Sequence, residues 1–155
     1  MNGTIEERIV SMGLELPVIP ASKGIYKSCL LVGNLLYVSG HVSVNPDGSY
    51  ISGKLGRDLE DEAGKAAARQ CGLAILSTIK KHYNLDKIRR VIKLLGMVNA
   101  TQEFEKHPVV INGCSELFAA LWGEENGIGV RSAVGMGSLP GNVAVEIEAI
   151  FEVKE

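Results

Sequence analysis

Aromatic residues are scarce in this 155-residue chain: one Trp, four Tyr and three Phe make up 5% of it. A platform that stacks nucleobases needs several exposed rings, so the shortage counts against a single-strand nucleic-acid binder. Charge of one sign is lacking as well. Sixteen Lys and Arg meet eighteen Asp and Glu, a net charge of −2, which exerts no general pull on a phosphate backbone. Long hydrophobic runs are missing, since none approaches the ~18 apolar residues of a membrane span. Met1 to Gly13 carries Glu6, Glu7 and Arg8 where a secretory signal needs an apolar stretch. Cysteine is limited to Cys29, Cys71 and Cys114. Three widely spaced thiols make no disulfide framework and suit packed side chains in a reducing compartment. His41, His82 and His107 stand far apart, and no His/Cys spacing fits a zinc site. A cytoplasmic protein with no metal site is expected.

The remaining composition, 46% hydrophobic and 22% charged, is that of a globular chain. The length suits one domain, which can bury roughly 68–70% of its unfolded surface without a disulfide or metal. Residues 1–155 are therefore read as a single domain, with 1–23 a helix and connector added at the N-terminus. Thr4-Ile5-Glu6-Glu7 matches a capping box, and Pro17 and Pro20 make the connector non-helical. Lys27–Val32 and Leu35–Ser39 form a hairpin about Gly33-Asn34, and Asn45-Pro46-Asp47-Gly48 is a turn. Leu59 to Tyr83 predicts a long helix capped by Asp58. Lys87–Asn99 predicts a strand, Pro108–Trp122 a second long helix, and Gly127–Met136 a further strand.

In the last strand Val143, Val145, Ile147, Ala149, Phe151 and Val153 alternate with Ala144, Glu146, Glu148, Ile150 and Glu152. The first set must meet the helices, which puts Glu146 and Glu148 on the other face. The fold class is thus α+β, with two long helices on one face of a mostly antiparallel sheet. The other face is bare and carries Ile150, Ala144, Ile92 and Leu94, which suggests cover by another subunit.

Few motifs carry chemistry. Gly135–Gly141 is glycine-rich, but no Gly-Lys-Ser/Thr follows and the next element is a strand, so it reads as a bend and not a phosphate loop. Lys87–Lys93 is a basic cluster at a strand start, without interleaved aromatics. The cysteines fall in apolar stretches and read as packing. Arg131 stands out, alone among uncharged residues in Gly129–Gly135, and a guanidinium there needs a carboxylate or a solvated cleft. With Glu146 placed on the neighbouring strand across the Leu139–Asn142 turn, two readings stay open. One is a cross-strand ion pair that fixes register. In the other, Arg131 forks onto a ligand carboxylate while Glu146 moves a proton nearby.

Gly129-Val130-Arg131-Ser132-Ala133-Val134, Leu139-Pro140 and Val145-Glu146-Ile147-Glu148-Ala149-Ile150 together resemble the C-terminal signature of the RidA/YjgF family, the reactive intermediate deaminases, also labelled endoribonuclease L-PSP. Leu35–His41 resembles its strand ending in Ser-Gly-Gln, Gly24-Ile25-Tyr26 its Gly-Pro-Tyr, and Val110-Ile111-Asn112 the segment with its site asparagine. The resemblance spans about Gly24 to Val153. It implies a chorismate-mutase-like (ferredoxin-like) fold, a homotrimer joined through its sheets into a barrel-like core, and clefts between neighbours. The implied activity is hydrolysis of 2-imino acids or enamines to 2-keto acids and ammonia, with no cofactor. Arg131 matches the arginine that grips the substrate carboxylate, and Glu146 the glutamate that activates water. Tyr26 and Asn112 match cleft residues, Ser39 less closely, and backbone near Ala133 is placed to hold the imine nitrogen. Ala133 stands where a cysteine is frequent, and His41 replaces the usual glutamine. The alternatives are a non-catalytic trimer that binds a small carboxylate as a regulator and, with less support, an endoribonuclease.

Overall fold

The computed structural model describes residues 3–155. The capping box is present: Glu7 N donates to Thr4 Oγ1 at 3.1 Å and Thr4 N to Glu7 Oε2 at 2.9 Å. It opens α1 (Ile5–Ser11), whose Ile5 and Ile9 join the core. The connector has no regular structure and lies along the next helix, where Ser77 Oγ donates to Pro17 O at 2.8 Å. Then follow β1 (Cys29–Val32), β2 (Leu35–Val42), α2 (Asp61–His82), β3 (Ile88–Asn99), α3 (His107–Gly127), β4 (Val130–Met136) and β5 (Val145–Val153).

Helix ends depart from expectation for local reasons. Asp58 does not cap α2. Its carboxylate accepts from Lys54 N at 2.9 Å and pairs with Arg57, and Glu60 takes the cap position without a side-chain bond. The chain beyond Trp122 stays helical to Gly127, although Gly123, at φ +80°, breaks the turn there.

The sheet order is β1-β2-β5-β3-β4. All pairings are antiparallel except β3 with β4, which α3 connects as a parallel crossover. Both long helices cover one face. The apolar set predicted for β5 lies there, with Val145, Ile147, Ala149, Phe151 and Val153 all buried. Phe151 meets Phe118 and Trp122 at ring distances of 5.7 and 6.0 Å. The helices touch backbone to backbone at Gly113, where a Cβ would collide with the carbonyl of Lys65.

The open face differs in membership from the prediction. Leu94 and Ala144 belong to the core. The register of β3 against β5 slips between Val91 and Lys93, so Ile92 is an extra, bulged residue. A bulge reverses the alternation beyond it, which turns Leu94 inward and leaves Lys93, Leu95 and Met97 beside Ile150, Glu148 and Glu146. One row across this face reads Leu30, Tyr37, Ile150, Lys93 and Val130. It is largely apolar, and Tyr37 and Val130 are 43% and 68% exposed.

Candidate functional site

Glu146 begins on the open face of a central strand, next to an irregularity in β2. Between Val38 and His41 the pairing with β5 slips, so that Ser39 and Gly40 together oppose Glu148. The bulge is held on several sides. Ser39 N donates to Ser28 O at 2.9 Å, and Ser39 Oγ to Lys27 O at 2.5 Å. The ring of His41, turned inward and 7% exposed, takes the Ser39 carbonyl at Nδ1 and Thr78 Oγ1 at Nε2, both at 2.6 Å. A carbonyl can only accept, so Nδ1 carries the proton. Burial keeps this imidazole below its ordinary pKa, partly offset by the bond to Ser39, and a neutral ring then accepts from Thr78 at Nε2.

The missing side chain of Gly40 makes the seat for Glu146: a Cβ there would lie 2.5 Å from Glu146 Oε1. The carboxyl faces a cavity of about 550 Å³ whose walls include Tyr26, Ser39, His41, Glu146 and Glu148. Among the described residues it has no hydrogen bond or ion pair. Its pKa is raised above the ordinary carboxylate value, first by burial and then by the neighbouring Glu148. Such a group is a stronger base than a free carboxylate.

Arg131 lies elsewhere. It is on β4, the edge strand, in register with Leu94 and so on the helix-covered face. Its Nη1 donates to Ser115 Oγ at 3.1 Å and its Nη2 to Pro108 O at 3.3 Å. Pro108, Asn112 and Ser115 fall at helical spacing on one side of α3. Ala133, two residues on from Arg131, packs partly against the core. The guanidinium is thus aimed by neutral groups and has no acidic partner among the described residues.

The expectation that Arg131 and Glu146 sit on adjoining strands is overturned. β3 separates β4 from β5, about 10 Å across two strand spacings. Arg131 aligns with Leu94 and Glu146 with Met97, so the two lie three residues apart along β3 and on opposite faces. The cross-strand ion pair does not form. Within one chain the structure brings together Tyr26, Ser39 and Glu146 at the cavity, and separately Arg131, Ala133 and the α3 turn bearing Asn112. Sequence reading also missed members of each group. Ser115 was findable from its spacing to Asn112, and Glu148, already placed on the open face beside Glu146, was not assigned to the site. Tyr50, a wall of the cavity, left no local signal. Cys71 and Cys114 are buried, and burial raises both thiols, which disfavours the reactive thiolate. No group of three or more His, Cys, Asp or Glu among the described residues is placed to hold a metal, and no helix among them is long and apolar enough to cross a membrane.

Residues 6–145 match the family model described as "YjgF/chorismate_mutase-like, putative endoribonuclease". Protein TCP17 of Trypanosoma cruzi is 36% identical over 98% of this chain and 96% of its own length. The crystal structure of Atu1372 from Agrobacterium tumefaciens, a protein of unknown function, superposes with a TM-score of 0.86 at 42% identity, covering 97% of this chain and 94% of that one. The YjgF gene product of E. coli superposes at 0.60 with 27% identity over 91% and 95% of the two chains. The matched span and the 36% identity to TCP17 over nearly the whole of both chains agree: this chain belongs to the RidA/YjgF family.

Proposed function

We propose that the protein hydrolyses 2-imino acids and their enamine tautomers to 2-keto acids and ammonia, at a cleft that two copies of the chain build together. One observation carries this reading. An unpaired acid of raised pKa faces a cavity on the open side of the sheet, while the matching cation is held fixed at the sheet's far edge. A neighbouring copy docked on the open face supplies Arg131, with Asn112 and Ala133, to the Glu146 cavity of the first. The apolar row on that face, Leu30, Tyr37 and Ile150, is the surface such docking would bury, in line with the trimer that the family resemblance implies.

The chemistry asks little of the protein. A protonated imine carbon is already electrophilic, so orientation and one activated water suffice. Arg131 clamps the substrate carboxylate with two parallel N–H donors, which lysine cannot reproduce. Glu146 takes a proton from water as its oxygen bonds to the imine carbon and gives a carbinolamine. Glu146 then returns the proton to nitrogen, and as the C–N bond breaks and the carbonyl forms the hydroxyl proton passes to the Glu146 carboxylate, which hands it to the departing ammonia. The raised pKa suits both halves, because the best base and acid have a pKa near the working pH. Backbone groups of β4, an edge strand, remain available beside Ala133 for the imine N–H.

The test generates an imine with an amino acid oxidase and follows keto acid release. The protein accelerates release, and Arg131→Ala lowers the effect about 10²-fold or more while the fold and oligomer persist. Undiminished activity in Arg131→Ala removes the reading. Keto acid binding without acceleration instead indicates the carboxylate-binding regulator, and RNA cleavage that depends on Arg131 would support the endoribonuclease.

A further inference from the structure

The cavity beside Glu146 is larger than the reaction requires. Hydrolysis involves the imine carbon, its nitrogen and the carboxylate, yet about 550 Å³ is open, within the range of sites that enclose much larger ligands. Away from the carboxyl one part of its wall is apolar, formed by Ile19 and Pro20 from the connector, Val44, Pro140, and the rings of Tyr26 and Tyr50, while Ser22, Lys23 and Ser28 make a polar part.

Both rings are set by glycines. Tyr50 is placed by its bridge to Val44, and its ring lies on the backbone of Gly141, where a Cβ would come within 2.8 Å of Cε2. Gly141 has φ +63°, a conformation that glycine adopts without steric cost, so one residue both makes the turn and admits the ring. Tyr26 lies across Gly24 in the same way, with Cδ1 and Cε1 both 3.0 Å from a Cβ built there. One ring is carried by the segment between the connector and β1 and the other by the segment after the Asn45–Gly48 turn. In the single chain Tyr50 and Tyr26 are 47% and 57% exposed, so their rings are not consumed by packing within the chain. The charges in the same cavity act against an acidic occupant: Glu146 and Glu148 line it, against Lys23 as its one lysine or arginine among the described residues.

We propose that the cavity selects 2-imino acids with large apolar or aromatic side chains over those with small or acidic ones, and that Tyr50 is a specificity-determining residue. This deepens the deaminase reading and rests on it for the identity of the reacting group. The test uses stable keto acids, so that it does not depend on turnover. Calorimetry on the intact oligomer compares phenylpyruvate, pyruvate and 2-oxoglutarate. Phenylpyruvate is expected to bind about tenfold tighter than pyruvate, or more, from the area its ring covers, and 2-oxoglutarate more weakly than phenylpyruvate. Tyr50→Ala and Tyr50→Thr bring the phenylpyruvate-to-pyruvate ratio towards one, and Tyr50→Phe keeps it. Equal affinities, no binding of any of the three, or a ratio unmoved by both ring-removing variants overturns the proposal. The preference without imine hydrolysis sinks the deaminase reading alone, whereas hydrolysis at equal kcat/KM for phenylalanine- and alanine-derived imines sinks this inference alone.

Discussion

The two faces of the sheet solve opposite problems. On the covered face Arg131 and His41 are held by neutral partners inside the chain. Arg131 donates to Ser115 and Pro108, and His41 joins Ser39 to Thr78. On the open face Glu146 has no hydrogen-bond or ion-pair partner among the described residues, and Leu30 and Tyr37 are about half exposed. An unmatched acid and an uncovered apolar row are each unfavourable for an isolated chain. Their presence on one face fits the proposed docking of a second copy there, while the covered face supplies rigidity.

Packing gives the largest test of this contrast. Phe151→Ala removes a ring from the centre of the covered face and is expected to cost about 3–5 kcal/mol, read as a fall in thermal or denaturant midpoint. Tyr37→Ala on the open face should leave the stability of a dilute single chain within about 1 kcal/mol but weaken association, read by sedimentation. Equal effects of the two on folding would erase the distinction.

Protonation of Glu146 gives the next. Its folded pKa lies above the ordinary value, so the folded state binds this proton more tightly than the unfolded one. The stability it contributes is present at low pH and lost as pH rises through the raised pKa. Glu146→Gln should therefore stabilise the fold at neutral pH while lowering keto acid release about 10²-fold or more. A variant less stable than the parent at pH 7 would contradict the assignment of an unpaired, desolvated acid.

The smallest effect concerns Glu148. In the proposed mechanism activity needs ionised Glu146 and is expected to rise with pH through the raised pKa. Glu148→Gln removes the second cause of that elevation and leaves burial, the first. The acid limb of the pH–rate profile should move to lower pH and stop short of an ordinary carboxylate. A limb that stays put would show that the two carboxylates do not interact.

These contrasts also explain what the sequence could convey. The β5 alternation was legible because one face meets a continuous core, so each inward position is apolar from Val145 to Val153. The role of Leu94 was not, because the Ile92 bulge shifts the period by one and no residue type announces it. The Arg131–Glu146 adjacency was misread for a topological reason. Strands joined by a short turn are usually neighbours, but β5 instead inserts between β2 and β3. Arg131 was still recognisable as a lone charge in an otherwise uncharged strand, and Glu146 through the motif it forms with Glu148. Tyr50 reaches the cavity only through a turn and a glycine some ninety residues away, a relation that no local pattern records.

The claim that Arg131 and Glu146 act from different copies is tested most directly by mixing. Arg131→Ala and Glu146→Gln chains, each inactive alone, are co-refolded in equal amounts and assayed for keto acid release. Cleft sharing between copies restores roughly a quarter of the parent activity, because half of the chains bring each intact residue to an interface. A mixture no more active than either variant by itself would mean that no cleft is shared between copies.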